Sequence, residues 1–111
     1  MNQLYESTEA ELIGKMADHC KLLGDKSRLT MLAALQVQDL CVCDLVELVG
    51  LSQPGVSQHL RKLKEAGIVT ESRKGTWIYY TLNLDDKPHL RVLLAHVPSM
   101  RDKVRELKNN C

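Results

Sequence analysis

The chain has 111 residues, which is enough for one domain that buries little apolar area beyond its own core. Because 44% of the residues are hydrophobic, 26% are charged and none is Phe, the composition predicts a globular protein with an aliphatic, mostly helical core. No run of about 18 apolar residues occurs and the acidic N-terminus lacks a signal peptide, which excludes a membrane-spanning class and favours a cytoplasmic protein. The net charge of +1 conceals a basic segment at 54–76, where five basic side chains outnumber two acidic ones, and this segment predicts contact with a polyanion.

Two helices are predicted in the first third of the chain. The first runs from about Ser7, its N-cap, to Leu23, and an apolar stripe follows it. The second lies in "LGDKSRLTMLAAL" and has Asp25 as its N-cap. The stripe of the first helix consists of Leu12, Ile13, Met16, Ala17 and Cys20, and the inward-facing residues of the second are Leu29, Leu32, Ala33 and Leu35.

A short helix and a longer one follow on either side of a tight turn. The third helix covers about residues 43–49 and stops at Gly50, a good C-terminal glycine. The fourth begins after Ser52 as its N-cap, carries Pro54 in its first turn and runs to about Ala66. Its apolar positions Val56, Leu60 and Leu63 face the core, and Ser57, Gln58, Arg61, Lys62 and Lys64 lie elsewhere on its surface.

The remaining chain predicts a hairpin and a last helix. Residues 68–72 and 77–82 are β-branched or aromatic runs that turn at Gly75. The helix after Pro88 has apolar residues at alternating spacings of three and four, which indicates a packing seam, and Pro98 is expected to kink or divide it. The seam consists of Leu90, Leu93, Val97, Met100, Val104 and Leu107.

These elements predict a mainly α protein with a small β-hairpin (α+β), in a winged helix-turn-helix arrangement. The fourth helix fits the major groove of DNA, and the hairpin tip, Arg73–Lys74–Gly75, can follow the phosphate backbone or enter the minor groove. Double-stranded DNA is therefore the expected partner. No nucleophile with its base, phosphate-cradling Gly-rich loop or pair of catalytic carboxylates is evident, so we do not expect an enzyme. A pure protein-interaction module would leave the basic helix and wing unexplained.

Three segments resemble a known family. "LGDKSRLTMLAAL", "LCVCDLVELVGLSQPGVSQHLRKLKEAGIV" and "RKGTWIYYTL" are similar to the ArsR/SmtB family of metal-responsive repressors over about residues 20–83. The resemblance implies one domain over 1–111, paired as a homodimer through its first and last helices. Such a dimer binds an imperfect palindrome in its own promoter and leaves when an inducer binds.

The DNA-contacting residues follow from this resemblance by position. His59 stands apart among them because it either points to DNA or packs at the edge of the helix. The predicted contact set is Ser52, Gln53, Ser57, Gln58, His59, Arg61 and Lys62 on the fourth helix, with Arg73 and Lys74 on the wing.

Cys41 and Cys43 form a thiol pair in "DLCVCDL". Cytoplasmic thiols stay reduced, so the pair favours a metal or redox site over a structural disulfide. In the family, "ELCVCDL" is the metal-binding box of arsenic, antimony, cadmium and lead sensors, and thiolates prefer such soft ions. The predicted position at a helix N-terminus should lower the thiol pKa. Side chains two apart on a helix diverge by about 200°, so one ion held by both would distort the helix start and favour a state that binds DNA poorly.

The sequence leaves the third ligand and the inducer open. Val46 stands where many arsenic repressors of the family have a further cysteine, which leaves Cys111 or Cys20 as candidates. Two thiolates with a weak or exogenous third ligand favour As(III) or Sb(III) as the inducer over tetrahedral zinc, and no cofactor is required. The alternatives are a cadmium or lead sensor, and a thiol oxidation or persulfide sensor in which Cys41 or Cys43 bridges to Cys20 or Cys111.

Some relatives bind zinc, nickel or cobalt near their last helices. In this chain Asp86, His89 and His96 lie there, but their spacing differs from that pattern, and we expect either exposed histidines or structural histidines with satisfied contacts.

Overall fold

The computed structural model describes residues 3–108, with side chains described from residue 8 onward. Within that range the chain forms six helices and three short strands. The helices are α1 (Gln3–Leu23), α2 (Lys26–Leu35), α3 (Val42–Val49), α4 (Gln53–Glu65), α5 (Pro88–Ala95) and α6 (Arg101–Arg105), and the strands are β1 (Leu40–Cys41), β2 (Val69–Lys74) and β3 (Trp77–Leu82).

The core is aliphatic, as predicted, and α2 lies at its centre. All five residues from Met31 to Leu35 are buried, so every face of this half of α2 contacts other elements. Leu45 of α3 and Leu60 and Leu63 of α4 are buried in the same cluster. The two helices of the helix-turn-helix therefore pack on one central helix, which holds them in a fixed relative orientation.

Local capping sets the turn between α3 and α4. Gly50 ends α3 with a left-handed φ of 73°, a conformation that glycine adopts without a steric penalty. Ser52 caps α4, because its Oγ accepts a hydrogen bond from the Gly55 N–H at 3.3 Å, and Val56 anchors the first turn in the core. These features confirm the predicted helix-turn-helix.

The sheet has three antiparallel strands in the order β1-β3-β2. The predicted hairpin is confirmed, with Lys74 opposite Trp77 and Gly75 in the turn at a φ of 65°. Strand β1 was not predicted, since two residues are too few for a visible alternation of apolar and polar side chains. It pairs Cys41 with Tyr79 of β3, so the thiol pair adjoins the wing.

The sequence prediction was wrong at the start of the first helix. Helix α1 begins at Gln3, not at Ser7, because the flanking residues favour helix and Ser7 lies within it. The helix predicted after Pro88 is divided into two helices with Pro98 between them, which is one of the two outcomes expected. Its apolar seam packs mainly on the chain's own core, where Leu90 and Val104 are buried, and only Leu93 of the seam is clearly exposed among the described residues.

The apolar stripe of α1 faces outward in the single chain. Leu12, Ile13 and Met16 have 56%, 69% and 45% of their surface exposed. Val92 and Leu93 on α5 are also exposed apolar residues. No helix in the described range is long and apolar enough to cross a membrane.

Candidate DNA-binding surface and thiol site

Helix α4 presents a polar face to solvent. Gln53, Gln58, Arg61 and Lys62 are exposed on it, and Ser57 is half-buried. Gln53 Nε2 donates to Ser57 Oγ at 3.2 Å, which links the first two turns of the face. Exposed amide, hydroxyl and basic groups on a helix of this kind suit the base edges and phosphates of a major groove.

Lys64 of α4 forms an ion pair with the wing. Its Nζ lies 2.7 Å from Glu71 Oε1 on β2, which fastens the recognition helix to the wing. Lys64 and the Tyr80 hydroxyl hold the pKa of Glu71 below its usual value, while burial and Glu71 raise the pKa of Tyr80 to about 12.

The wing carries its two basic residues beside the turn. Arg73 and Lys74 are exposed at the end of β2. Lys74 Nζ lies 5.1 Å from the centre of the Tyr79 ring, a cation–π contact that orients it. The wing and the polar face of α4 together form the surface that we call the DNA face.

His59 points inward from α4. Arg28 Nη1 donates to His59 Nδ1 at 3.0 Å, and the side chain of His59 is only 22% exposed. The sequence left His59 either facing DNA or packing at the helix edge, and these contacts favour packing. Arg28 drew no attention in the sequence, because a basic residue in the second helix shows no periodic or motif signal of its partner on α4.

Cys41 caps the start of α3 and is buried, with 6% of its surface exposed. Its backbone N–H and its Sγ each lie 3.2 Å from Asp44 Oδ2, and both donate to that carboxylate oxygen. Burial raises the pKa of the Cys41 thiol, and the Asp44 carboxylate adds to the effect. The expectation of a lowered thiol pKa was therefore wrong for Cys41, because desolvation outweighs the helix N-terminus.

Asp44 contributes a second feature to this site. It is buried, and its Oδ1 has no hydrogen-bond partner in the described part of the chain. An unpaired buried acceptor costs about 1–3 kcal/mol. A donor or a cation brought to this oxygen would recover that cost.

Cys43 follows two residues after Cys41 in the first turn of α3 and is exposed. It borders a surface cavity of about 510 Å³ that is also lined by Val46, Glu47, Gln53 and Lys108. The cavity thus places Cys43 close to Gln53, the first residue of α4, the helix proposed to recognise DNA. The sulfur of Cys43 is part of a disulfide bond in this structure, whereas Cys20 and Cys41 are thiols.

No third metal ligand joins the thiol pair within the described residues. No group of three or more His, Cys, Asp or Glu side chains able to hold a metal occurs there. Cys20 is exposed on α1, and Cys111 lies outside the described residues.

Of the histidines near α5, His89 makes a structural contact and His96 is exposed. His89 Nε2 lies 2.9 Å from His19 Nδ1 of α1, and the two rings stack with centroids 5.2 Å apart. Asp86 pairs with the buried Lys87 at 2.7 Å, which lowers the pKa of Asp86, and His96 is exposed.

An exposed polar helix beside a basic wing defines a winged helix-turn-helix transcriptional regulator. Residues 25–71 match the family described as "Bacterial regulatory protein, arsR family". The "Arsenical resistance operon repressor" of Bacillus subtilis is 40% identical over 79 residues, which cover 70% of this chain and 75% of the repressor. The chain belongs to the ArsR family and is a DNA-binding regulator, not an enzyme.

Two further comparisons fit this assignment. The "Arsenic resistance transcriptional regulator ArsR1" of Pseudomonas putida is 48% identical over 65 residues, which are 57% of this chain but only 50% of that protein. A solution NMR structure of a homodimeric winged helix-turn-helix DNA-binding domain from Mycobacterium bovis, a possible ArsR-family regulator, superposes with a TM-score of 0.68. It is 29% identical, and the superposition covers 78% of this chain and 81% of that domain.

Proposed function

We propose that this chain is a transcriptional repressor that binds its operator as a homodimer and is released when As(III) or Sb(III) binds Cys41 and Cys43. The observation that carries the proposal is the place of Cys41. It caps α3, which packs against the recognition helix, and it pairs through β1 with β3 of the wing. A change at this one residue therefore reaches the supports of both parts of the DNA face.

The exposed apolar residues of α1 and α5 support the homodimer. Leu12, Ile13 and Met16 form one stripe of α1, and Val92 and Leu93 are exposed on α5. A contiguous exposed apolar surface favours association. The dimeric domain from Mycobacterium bovis offers a precedent for the same fold.

Thiol chemistry supports the choice of inducer. Each thiol gives its proton to a hydroxide of As(OH)3 or its antimony counterpart, which leaves as water while an As–S or Sb–S bond forms. Soft thiolate donors favour these ions. Two relatives named for arsenic resistance agree with this choice.

Cys111 is our candidate for the third thiol. The Lys108 N–H contacts Glu47 Oε1 of α3 at 3.4 Å, and Lys108 lines the same cavity as Cys43. Cys111 is three residues further along the chain, and three residues span at most about 10 Å. The length of this segment therefore allows Cys111 to approach the cavity that Cys43 lines.

Ligation would act by displacing the start of α3. To hold one ion, Cys41 must exchange its contact with Asp44 for a bond to the inducer and turn towards Cys43. We expect α3 and the β1–β3 pairing to shift with it. A coupling of about 1–3 kcal/mol, or a roughly 5- to 150-fold loss of operator affinity, is typical of such switches.

The test is a fluorescence-anisotropy titration on the upstream promoter DNA under reducing conditions. Arsenite, antimonite, cadmium, lead and zinc are added separately. We expect release by arsenite and antimonite, and we expect Cys41→Ser and Cys43→Ser to bind DNA normally and to lose the response. Cys20→Ser is the matched control and should respond like the wild type. If Cys41→Ser/Cys43→Ser were still released by arsenite, the thiol pair would not be the inducer site.

The disulfide at Cys43 favours a second candidate function, a thiol redox sensor. Two thiols would lose two protons and two electrons to a cellular oxidant and form the bond that the structure contains. Repeating the titration with pre-reduced protein, after removal of the reductant, and adding a persulfide donor or diamide separates the two candidates. Release by these oxidants, with no response to arsenite, would replace the metalloid proposal. Cys111→Ser would test the partner sulfur, with Cys20→Ser as the control because Cys20 is a thiol in this structure.

A further inference from the structure

The side chain and backbone of Arg28 join three helices. Its Nε donates to the Leu22 carbonyl at 2.7 Å, in the last turn of α1. Its Nη1 donates to His59 Nδ1 of α4 at 3.0 Å, and its backbone N–H donates to the capping carboxylate of Asp25 at 2.9 Å. One residue of α2 therefore connects the end of α1 with the recognition helix.

The chemistry of the guanidinium makes this connection stiff. The group is planar, always charged, and holds its donors in a fixed fork, so the two acceptors are held at a fixed separation and direction. The Leu22 carbonyl is one of the last four of α1, which have no partner within the helix, and a cation is favourable there.

His59 is the residue of α4 that accepts the hydrogen bond from Arg28. Because arginine has donors and no acceptor, His59 must present an unprotonated Nδ1 to it and carry its proton on Nε2. That Nε2 lies 3.9 Å from Asp25 Oδ2. Both ring nitrogens thus face α2 and its cap, and the ring is not directed at DNA.

The two connected helices have different tasks. Helix α1 carries the exposed apolar stripe on which the second copy is proposed to pack, and α4 carries the polar face that reads DNA. In a homodimer, the distance between the two copies of α4 must match the spacing of the two half-sites. That distance depends on the angle between α1 and α4 within each protomer.

We propose that Arg28 is a positioning residue for operator recognition, which acts through His59 to fix the recognition helix relative to the dimerisation helix. Its effect is on half-site spacing, because its guanidinium is engaged by the Leu22 carbonyl and by His59 within the protomer. The proposal rests on the homodimer proposed above. It removes His59 from the set of base-reading residues and gives it a bridging task.

Two substitutions at His59 separate positioning from simple packing. The Oδ1 of Asn takes about the position of the histidine Nδ1, so His59→Asn keeps the acceptor for Arg28. His59→Leu fills similar space without an acceptor. Arg28→Lys keeps the charge but loses the fork that reaches both acceptors. Arg91→Lys, at an exposed arginine on α5, is the matched control.

The measurement is DNA affinity at low salt with three kinds of duplex: the full operator, a single half-site, and operators with the half-site spacing changed by one base pair in each direction. We expect the wild type to prefer its own spacing by about tenfold or more. His59→Leu and Arg28→Lys should lose most of this preference and keep wild-type affinity for the single half-site. His59→Asn and Arg91→Lys should behave like the wild type.

Several outcomes would overturn the proposal. Unchanged spacing preference in His59→Leu would remove the connection from recognition, and an equal loss in His59→Asn would show that the acceptor is irrelevant. Loss of single half-site binding in His59→Leu would show a general packing defect. Sedimentation of the wild type tests the proposed homodimer separately from the role of Arg28. A monomeric wild type would contradict the homodimer. A dimeric wild type, together with an unchanged spacing preference in His59→Leu, would contradict only the positioning role of Arg28.

Discussion

At Cys41, burial outweighs the effect expected from its position in the helix. The Cys-x-Cys pattern and the helix start both predict thiols that ionise easily. In the fold, Cys41 is buried and its Sγ donates to Asp44, so its thiol form is favoured and its pKa rises. The two sulfurs of the pair therefore differ, since Cys43 is exposed. We infer that, once the Cys43 disulfide is reduced, an incoming ion meets Cys43 first and recruits Cys41 as α3 opens.

This difference predicts the reactivity of single thiols. A variant that keeps only Cys41 should react with a thiol reagent at about pH 7.5 at least about tenfold more slowly than one that keeps only the exposed Cys20. Adding Asp44→Asn removes the carboxylate charge that raises the pKa of Cys41, so the reaction should become faster and its pH profile should move to lower pH. Stopped-flow measurements across the neutral and alkaline range test this. Equal rates for Cys41 and Cys20 would contradict the burial argument.

Among the elements, α1 and α5 are joined by a polar contact. His19 Nδ1 and His89 Nε2 share one hydrogen bond, so one of the two nitrogens must be unprotonated. The pKa of His19 is lowered, first by burial and then by His89, Lys87 and Lys15, against a smaller opposite effect of Asp18. Protonation of His19 therefore works against this packing.

The lowered pKa of His19 makes stability depend on pH with a definite sign. The unfolded chain binds a proton at His19 more readily than the folded chain, so this group's contribution is fully present above about pH 6.5 and is lost as the pH falls towards the lower folded pKa. We expect His19→Asn to flatten the fall in stability between about pH 7.5 and about pH 5.5. Urea unfolding at each pH measures it. The exposed His96 provides the control, and a wild-type slope in His19→Asn, matched by His96→Gln, would contradict the assignment.

The elements that the sequence predicted well are those with local signals. Asp25, Ser52 and Gly50 act on their own backbone, and each caps its helix as predicted. For the seam after Pro88, the sequence predicted packing but did not identify what the seam packs against. Its spacing of three and four shows which face of a helix is apolar but not what covers that face, and the fold covers Leu90 and Val104 with the chain's own core.

At the scale of the whole molecule, the candidate site was only partly visible in the sequence. The polar face of α4, the wing and the thiol pair are contiguous motifs, and they could be identified from the residues. The contacts of Arg28 with His59 and of Cys41 with Tyr79 join segments 31 and 38 residues apart. Such pairings depend on how helices and strands pack, which no local pattern contains.

The charge distribution predicts how the whole molecule responds to salt. Arg61 and Lys62 on α4 and Arg73 and Lys74 on the wing are exposed on the DNA face, whereas Lys64 is paired with Glu71. Each phosphate contact releases counterions, so the logarithm of operator affinity should fall linearly with the logarithm of salt concentration.

The wing's share of this response can be isolated. Removal of one phosphate-binding side chain should reduce the salt slope by about one, so Arg73→Ala/Lys74→Ala should reduce it by about two per protomer and weaken binding to all DNA sequences alike. The exposed Lys103 on α6 lies outside the DNA face, and Lys103→Ala should leave the slope unchanged. Anisotropy titrations between about 50 and about 300 mM salt give the slopes. If Arg73→Ala/Lys74→Ala kept the wild-type slope, as Lys103→Ala should, the wing would not contact phosphate. The DNA face would then consist of α4 alone.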